Sequence, residues 1–168
     1  KQPGGTVATA KDFVSKMYGN VAVMDSAARA SMTTFAERKM GDVLLTWENE
    51  ALVTMKTLGK KDFEIVYPSI SILTEPSVAI VDKTVEKNKY IWLATGYINY
   101  LYSPLGQDMA AKHFYRPHNE KVLARYSAQF PKLKTFTIDE VFGGWAKAQQ
   151  VHFVNDGVFD QIYNKKKR

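Results

Sequence analysis

The residue types that most often carry out chemistry are sparse in this sequence. Its three histidines, His113, His118 and His152, lie far apart, and none belongs to an HxxxH or HExxH pattern or to a motif with a nucleophilic serine. The chain has no cysteine, which excludes thiol nucleophiles, disulfides and cysteine-based zinc or iron–sulfur sites. We therefore expect the histidines to serve packing or the surface, and we expect no metal centre.

Two acidic pairs and one glycine pair have plain structural interpretations. Glu48 with Glu50, and Asp139-Glu140, stand at predicted helix starts, where a carboxylate complements the positive end of the helix dipole. Gly143-Gly144 lacks the Lys-Ser/Thr of a phosphate loop and the third glycine of a dinucleotide fingerprint, so a turn explains it better. No enzymatic signature remains, and we predict a protein that is not an enzyme and needs no cofactor.

Two other positions offer hydrogen-bond donors to an anion. Asp25–Arg29 and Trp47–Asn49 each follow a predicted buried strand, and ligands of parallel sheets bind beyond the carboxyl ends of the strands. Near Ala28 the free backbone N–H groups of a helix N-terminus would suit an oxyanion, and the indole N–H of Trp47 can only donate. The residues alone leave a plainer alternative open, in which Trp47 is a core aromatic residue and Ala28 an ordinary first helical residue.

The elements that would position these residues alternate between helix and strand. Apolar spacing, together with cap and turn residues, predicts both kinds of element and an extended stretch over 70–81. The predicted helix caps are Asp25-Ser26, Ser103-Pro104 and Asp139, and Gly59 is predicted to end a helix. The predicted helices are 7–18, 28–39, 51–58, 91–102, 105–114, 145–153 and 159–163, and the predicted strands are 21–24, 43–47, 63–67 and 134–138. This order indicates the α/β class, with a mainly parallel sheet flanked by helices.

Length and charge exclude further classes of protein. The chain has 168 residues, 45% of them hydrophobic, which suits one domain or two small lobes, and no apolar run is long enough to span a bilayer. Four of the positive charges behind the net charge of +6 belong to Lys165–Arg168, so the rest of the chain is close to neutral and we expect no nucleic-acid binding. Lys1–Gly5 has neither an initiator methionine nor a signal-peptide pattern, so we expect a mature or truncated chain.

Several segments share their sequences with one family of proteins. These segments are Asp25–Arg29, Thr33–Arg38, Gly41–Ala51, Phe63–Val66, Tyr100–Pro104, Tyr115–Pro117 and Phe136–Gln149. In them the chain closely resembles the periplasmic sulfate-binding proteins of bacterial ABC importers. The resemblance extends over nearly the whole chain and is specific.

The resemblance implies a site for sulfate. In that family two α/β lobes close on the sulfate dianion, and the resemblance implies that two of its neutral donors are the backbone N–H of Ala28 and the indole N–H of Trp47. Arg29 would lie behind the donors, where it would orient the backbone or pair with Asp25. Sulfate is fully ionised near neutral pH and needs only donors, so several neutral N–H groups can offset its desolvation without a salt bridge.

The chain departs from the family pattern in two respects, at Ala27–Ala30 and in the earlier anion-binding loops. Ala27–Ala30 reads Ala-Ala-Arg-Ala, where the family usually has Gly-Ala-Arg-Gly. Thiosulfate-binding relatives tend to have phenylalanine in place of Trp47, so this residue favours sulfate over thiosulfate. The family's earlier anion-binding loops have no counterpart here. The resemblance therefore implies the carboxy-terminal part of such a protein, with a periplasmic-binding-protein type II-like fold and an incomplete two-lobe architecture.

The resemblance also implies an organisation, a location and partners. Residues 1–66 and 134–168 would correspond to the second lobe, and residues 67–133 to the first. The expected partners are sulfate, with thiosulfate as an alternative, and the membrane permease subunits of an ABC importer in the periplasm.

Incomplete lobes would leave apolar sheet edges and helix faces uncovered. We therefore expect the isolated chain to form a homodimer or to exchange strands, and to bind sulfate weakly or not at all. Two alternative functions remain. The first is that of a thiosulfate-binding relative. The second is that of a non-transport interaction module that keeps the fold and binds an acidic partner through its basic tail.

Overall fold

The computed structural model describes residues 4–59 and 62–163. The basic tail Lys165–Arg168, on which the interaction-module alternative depends, lies outside the described residues.

The described residues divide into two compact units. Unit 1 contains the described residues up to Leu44, Ile70–Leu73 and those from Thr135 onward, and unit 2 contains the described residues of Leu45–Ser69 and Thr74–Lys134. This division assigns neither unit to a lobe of a complete periplasmic-binding fold. The lobe assignment of residues 1–66, 67–133 and 134–168 therefore remains a prediction.

The described residues form ten α-helices, one π-helical segment and two short strands. In chain order they are α1 (Val7–Gly19), α2 (Ala28–Ala36), α3 (Glu48–Leu58), β1 (Ser71–Ile72), α4 (Asp82–Asn88), α5 (Ile91–Tyr102), α6 (Pro104–Lys112), α7 (Glu120–Arg125), β2 (Thr135–Phe136), α8 (Ile138–Phe142), α9 (Trp145–Ala148), the π-helical segment Gln149–Phe153 and α10 (Val158–Tyr163). Each predicted helix has a helical counterpart, with different bounds at several ends, whereas the short helices α4, α7 and α8 were not predicted. None of the helices in the described part of the chain is long and apolar enough to cross a membrane.

The two strands pair in parallel within unit 1. Ser71 lies opposite Thr135, and Ile72 lies opposite Phe136. The N–H of Leu73 extends this ladder by donating to the carbonyl oxygen of Phe136 at 2.8 Å. Parallel strands need a long connection, and the chain between these two contains α4 to α7. The predicted α/β class with parallel strands is confirmed at this small sheet.

Three predicted strands, over 21–24, 43–47 and 63–67, are not strands in the described residues. Over 43–47 and 63–67 the side chains still alternate between exposed and half-buried, which is the period of a strand with one covered face. A strand also needs a neighbour that exchanges backbone hydrogen bonds with it, and sequence periodicity carries no information about the neighbour. The predictions were therefore right about alternation and wrong about pairing.

The ends of the first two helices show how capping sets a boundary. The Thr6 hydroxyl accepts from the Thr9 N–H at 3.2 Å while the Thr9 hydroxyl accepts from the Thr6 N–H at 2.9 Å. α1 ends at Gly19, one residue beyond the predicted end at residue 18. α2 ends at Ala36, earlier than predicted. The chain beyond it turns through Lys39, whose φ of 55° is left-handed and incompatible with a continuing helix.

α1 packs against α10 in unit 1. The rings of Tyr18 and Phe159 meet edge to face with their centroids 5.7 Å apart, and Lys11 Nζ donates to Gln161 Oε1. These contacts join the first and last helices of the described chain.

The core of unit 2 consists of Ala111, Val122 and Phe130, with Leu52 and Tyr126 packed against it. Leu52 belongs to α3, so this cluster fixes the middle of α3 against α6 and α7. Burial of these apolar side chains is the main contribution to the stability of such a cluster.

A polar cluster joins α6 to α7 beside this core. The Asp108 carboxylate accepts hydrogen bonds from Lys112 Nζ at 2.8 Å, from Arg125 Nη2 at 3.0 Å and from the Tyr126 hydroxyl at 3.0 Å. The hydrogen bond from Lys112, followed by that from Tyr126, holds the pKa of Asp108 below its usual value.

α5 carries mostly apolar side chains and no charged residue, yet none of its residues is buried. Trp92 is 71% exposed, and Leu93 and Tyr97 are exposed beside it. A helix that is apolar on all sides is normally covered by other protein, so α5 is the clearest uncovered surface of unit 2.

Candidate functional site

The start of α2 presents unsatisfied backbone donors. Ala27 occupies the N-cap position with φ −147° and ψ 148°, and no side chain caps the helix, so the predicted caps Asp25 and Ser26 do not act as caps. No acceptor is found for the Ala28 N–H within residues 4–59 and 62–163. The first turn also contains no acidic residue, so the positive end of the helix dipole is not neutralised from within α2.

The residues around Ala28 differ in their exposure. Ala28 is half-buried, and Arg29, the next residue of the first turn, is exposed. Asp25 is half-buried. The predicted roles of Arg29 and Asp25 behind the donors remain predictions.

Trp47 occupies the N-cap position of α3 in unit 2, with ψ 146°, and its carbonyl oxygen accepts from the Ala51 N–H at 3.1 Å. Its side chain is 54% exposed, so Trp47 is not a core residue of unit 2. In the part of the chain that the structure describes, the indole N–H makes no hydrogen bond and can donate to a ligand. α3 begins at Glu48 rather than at Ala51 as predicted, so Glu48 and Glu50 lie inside its first turn.

Arg116 forms a salt bridge with Glu48, the residue that follows Trp47 in the sequence. Its Nε donates to Glu48 Oε2 at 2.9 Å and its Nη2 to Glu48 Oε1 at 2.6 Å, which is a two-point salt bridge between side chains that are 22% and 25% exposed. Nη2 also donates to the carbonyl oxygen of Pro131 at 3.1 Å, and the guanidinium lies 5.2 Å from the ring centroid of Phe130. The pair spans 68 residues of sequence, and no spacing rule predicts such a contact.

Tyr67 lies close enough to this pair to respond to both charges. Burial raises the pKa of the Tyr67 phenol, the negative charge of Glu48 raises it further, and the positive charge of Arg116 opposes the shift. Tyr67 also lines an open groove of about 1030 Å³ in unit 2, together with side chains of α3 and 62–65. Neither predicted sulfate donor lines this groove, so it is not the predicted site.

The two predicted donors belong to different units, Ala28 to unit 1 and Trp47 to unit 2. The features that support each donor are local to its own unit. They are an uncapped helix start for Ala28 and an exposed indole for Trp47.

The other chemical candidates have structural roles. His152 packs edge to face against an aromatic ring of α8 at 5.5 Å, and Gly143 ends α8 with a φ of 73°. Glu140 forms a capping box with Thr137, so Thr137 rather than Asp139 is the N-cap of α8. Among the residues described, no group of three His, Asp or Glu side chains is arranged to hold a metal ion.

Similarity to known proteins decides the family. Residues 4–116 match the family of bacterial extracellular solute-binding proteins. The chain belongs to this family. It is 60% identical to the sulfate-binding protein of Salmonella typhimurium strain LT2 over 155 residues, which is 92% of this chain and 47% of that protein.

Two further relatives also match nearly the whole of this chain and about half of their own length. The sulfate-binding protein of Escherichia coli strain K12 is 59% identical over 155 residues, again 92% of this chain and 47% of that protein. The thiosulfate-binding protein of Pseudomonas aeruginosa strain PAO1 is 45% identical over 161 residues, 96% of this chain and 48% of that protein. The chain spans about half the length of the curated relatives it matches.

Family membership confirms the resemblance found in the sequence and the solute-binding α/β fold predicted from it. The family is one of extracellular solute-binding proteins rather than of enzymes, which agrees with the absence of an enzymatic signature in the sequence.

Proposed function

We propose that this chain binds sulfate as part of the solute-binding component of a bacterial ABC importer. The observation that carries the proposal is the 60% identity to the sulfate-binding protein of Salmonella typhimurium over 92% of the chain. Both proposed donors are also free to act, because no side chain caps α2 at Ala28 and the indole of Trp47 is exposed.

Sulfate suits these donors for a physical reason. A sulfate dianion accepts hydrogen bonds and donates none, and backbone and indole N–H groups donate only. Each hydrogen bond to a charged group contributes about 1.5–3 kcal/mol, and each proposed donor is counted within its own unit. A single donor therefore contributes less than the roughly 4 kcal/mol that corresponds to a millimolar dissociation constant, and we expect this chain by itself to bind sulfate weakly.

The first turn of α3 contains two acidic residues, Glu48 and Glu50, whose negative charges would repel a dianion. Contacts with other residues reduce this repulsion. The salt bridge from Arg116 neutralises Glu48 at two points. Glu50 is buried and accepts a hydrogen bond from Asn49 Nδ2 at 3.3 Å. α2 contributes no acidic residue in its first turn and carries Arg29 there.

The location and the transport partners follow from the same proposal. We infer that the protein acts in the periplasm and delivers its anion to the membrane permease subunits of an ABC importer. The support is the resemblance to periplasmic binding proteins of such importers and the extracellular character of the family.

Thiosulfate is the second candidate ligand, because the thiosulfate-binding protein of Pseudomonas aeruginosa is 45% identical to the chain. Thiosulfate replaces one oxygen atom of sulfate by sulfur, which is a weaker hydrogen-bond acceptor. The indole donor of Trp47 therefore favours sulfate. A competition titration in which thiosulfate displaces sulfate more effectively than sulfate displaces thiosulfate would reverse this preference.

Titration of the 168-residue chain with sulfate, followed by ¹⁵N NMR, tests the proposal. We expect sulfate to shift the cross-peaks of the Ala28 amide and the Trp47 indole, with sodium chloride at equal ionic strength as the control for screening. Trp47→Phe should remove most of the binding, and Trp92→Phe should not, because Trp92 lies on α5. Cross-peaks of Ala28 and Trp47 that move equally in chloride and in sulfate would refute the proposal.

A further inference from the structure

The salt bridge between Glu48 and Arg116 makes none of the contacts proposed for sulfate, yet it lies beside one of the donors. Glu48 is the first residue of α3 and directly follows Trp47. The carbonyl oxygen of Trp47 is bound to the Ala51 N–H, so the backbone of Trp47 belongs to the same first turn. The direction of the indole N–H therefore depends on how the start of α3 is held.

One short segment after α6 holds α3 at both of its ends. At the first turn, Arg116 binds Glu48. At the last turn, Lys56 Nζ lies 5.3 Å from the ring centroid of Phe114. Phe114 has a φ of 67°, a left-handed conformation that is strained for a residue with a side chain and persists only where surrounding contacts hold it.

Arg116 is itself anchored to the core of unit 2. Its guanidinium lies against Phe130, which is 3% exposed and part of the buried cluster, and it also donates to the carbonyl oxygen of Pro131. A planar guanidinium can bind both oxygens of Glu48 and a third acceptor at fixed angles, whereas a lysine ammonium acts as a point charge without that geometry. Arg116 thus connects the first residue of α3 to the buried core of unit 2 and restrains its position.

The salt bridge also removes an electrostatic conflict. A free carboxylate at Glu48 would repel a dianion held by the neighbouring Trp47, and it would do so in any orientation. Arg116 compensates this charge and holds the carboxylate at a fixed place. One residue therefore affects both the direction of the donor and the charge beside it.

We infer that Arg116 is a positioning residue for the anion donor Trp47, which it orients through its two-point salt bridge with Glu48. The identity of the anion as sulfate rests on the proposed function, whereas the coupling from Arg116 to Trp47 does not.

The indole N–H cross-peaks of the 168-residue chain test this coupling without any ligand. Trp47→Phe assigns the peak of Trp47 among the three tryptophans. We expect Arg116→Lys and Glu48→Gln each to shift or broaden this peak and to leave those of Trp92 and Trp145 in place. The double variant should change the peak no more than the single variants do, because both substitutions break the same contact.

Arg125→Lys is the matched control. Arg125 also binds a carboxylate in unit 2, that of Asp108, and this pair joins α6 to α7. Circular dichroism and urea unfolding of every variant show whether it is folded. The inference is overturned if the Trp47 peak is unchanged in folded Arg116→Lys and Glu48→Gln. It is also overturned if Arg125→Lys moves the Trp47 peak as much as Arg116→Lys does, because a general loosening would then explain the effect.

Sulfate titrations of the same samples separate this inference from the proposed function. We expect the dissociation constant to rise roughly threefold to tenfold in Arg116→Lys, within the range of coupling between contacting residues, and to stay unchanged in Arg125→Lys. If the parent chain does not respond to sulfate, the proposed function fails, and the ligand-free spectra still decide the role of Arg116.

Discussion

Substituting Gly106 by alanine probes how closely α5 and α6 approach each other. Gly106 is buried in the first turn of α6, and its N–H donates to the hydroxyl of Ser103 at 3.1 Å. A Cβ at this position would lie 2.1 Å from the carbonyl oxygen of Tyr100 and 3.2 Å from Cα of Leu101. Both are backbone atoms of α5, so no change of rotamer relieves the clash.

The expected cost follows from this geometry. The Cβ and the Tyr100 oxygen must separate by more than an ångström to reach the 3.4 Å at which ordinary contact begins. A clash this close with backbone atoms belongs to the upper part of the overpacking range, about 2–3 kcal/mol, and the better helix propensity of alanine returns about 0.8–1 kcal/mol. We therefore expect Gly106→Ala to lower the free energy of unfolding by about 1–2 kcal/mol.

Gly96 supplies a matched control, because it is also a helical glycine and has no atom within 4 Å of an added Cβ. Gly96→Ala should raise the free energy of unfolding by about 0.5–1 kcal/mol through helix propensity alone. Urea unfolding followed by circular dichroism measures both variants. The two midpoints should move in opposite directions. A Gly106→Ala chain that unfolds at or above the midpoint of the parent would show that α5 and α6 are not packed as closely as the structure indicates.

Three further perturbations address pH dependence and association. The lowered pKa of Asp108 contributes stability that is present above about pH 4 and is lost as the pH falls through the pKa of Asp108 in the folded chain. Asp108→Asn should therefore make the free energy of unfolding depend less steeply on pH in acid. An equally steep acid loss of the urea midpoint in this variant would contradict that assignment. Tyr67→Phe should flatten the alkaline side of the stability curve, because the raised pKa of Tyr67 contributes stability that is present below about pH 10 and is lost as the pH rises through the folded value. Urea midpoints of this variant that fall as steeply as those of the parent above that pH would count against it. The uncovered surface of α5 should drive self-association, measured by sedimentation equilibrium and weakened by Trp92→Glu, and a compact monomer of the parent at high concentration would rule this out.

The parts of the fold that depend on local chemistry could be predicted from the sequence. Ser103-Pro104 predicts the start of α6, where the Ser103 hydroxyl accepts from the first turn, and Gly59 predicts the end of α3, where its φ is 87°. The prediction that Asp25 or Ser26 caps α2 was wrong. A side chain can cap a helix only from the residue just before its first turn, and that residue is Ala27, because α2 begins at Ala28. Strand pairing failed for a related reason, since it depends on a neighbour that is distant in sequence.

The candidate site also contains residues that could be predicted from the sequence and a contact that could not. The resemblance predicts Ala28 and Trp47 as donors, and each stands at a helix start in the structure. Neither the resemblance nor the spacing predicts the contact of Arg116 with Glu48, because it joins residues 68 positions apart. The resemblance includes Arg116 within Tyr115–Pro117 but does not indicate its partner. Only the folded backbone brings the guanidinium, the carboxylate and the core ring of Phe130 together.

Stability and anion binding make opposite demands at the start of α2. A serine, threonine or aspartate at the N-cap would stabilise this helix by about 0.5–2 kcal/mol relative to alanine, because its side-chain oxygen accepts from the first turn. The same oxygen would occupy donors and place partial or full negative charge where a dianion is proposed to bind. Ala27 leaves the donors unsatisfied. This choice destabilises the free helix, and it becomes favourable once an anion accepts from the first turn. α3 shows the opposite arrangement, since its first turn contains two acidic residues that suit the dipole and its proposed donor is a side chain outside the helix. At α3 the conflict with an anion is relieved by a partner, Arg116, rather than by leaving the helix start uncapped.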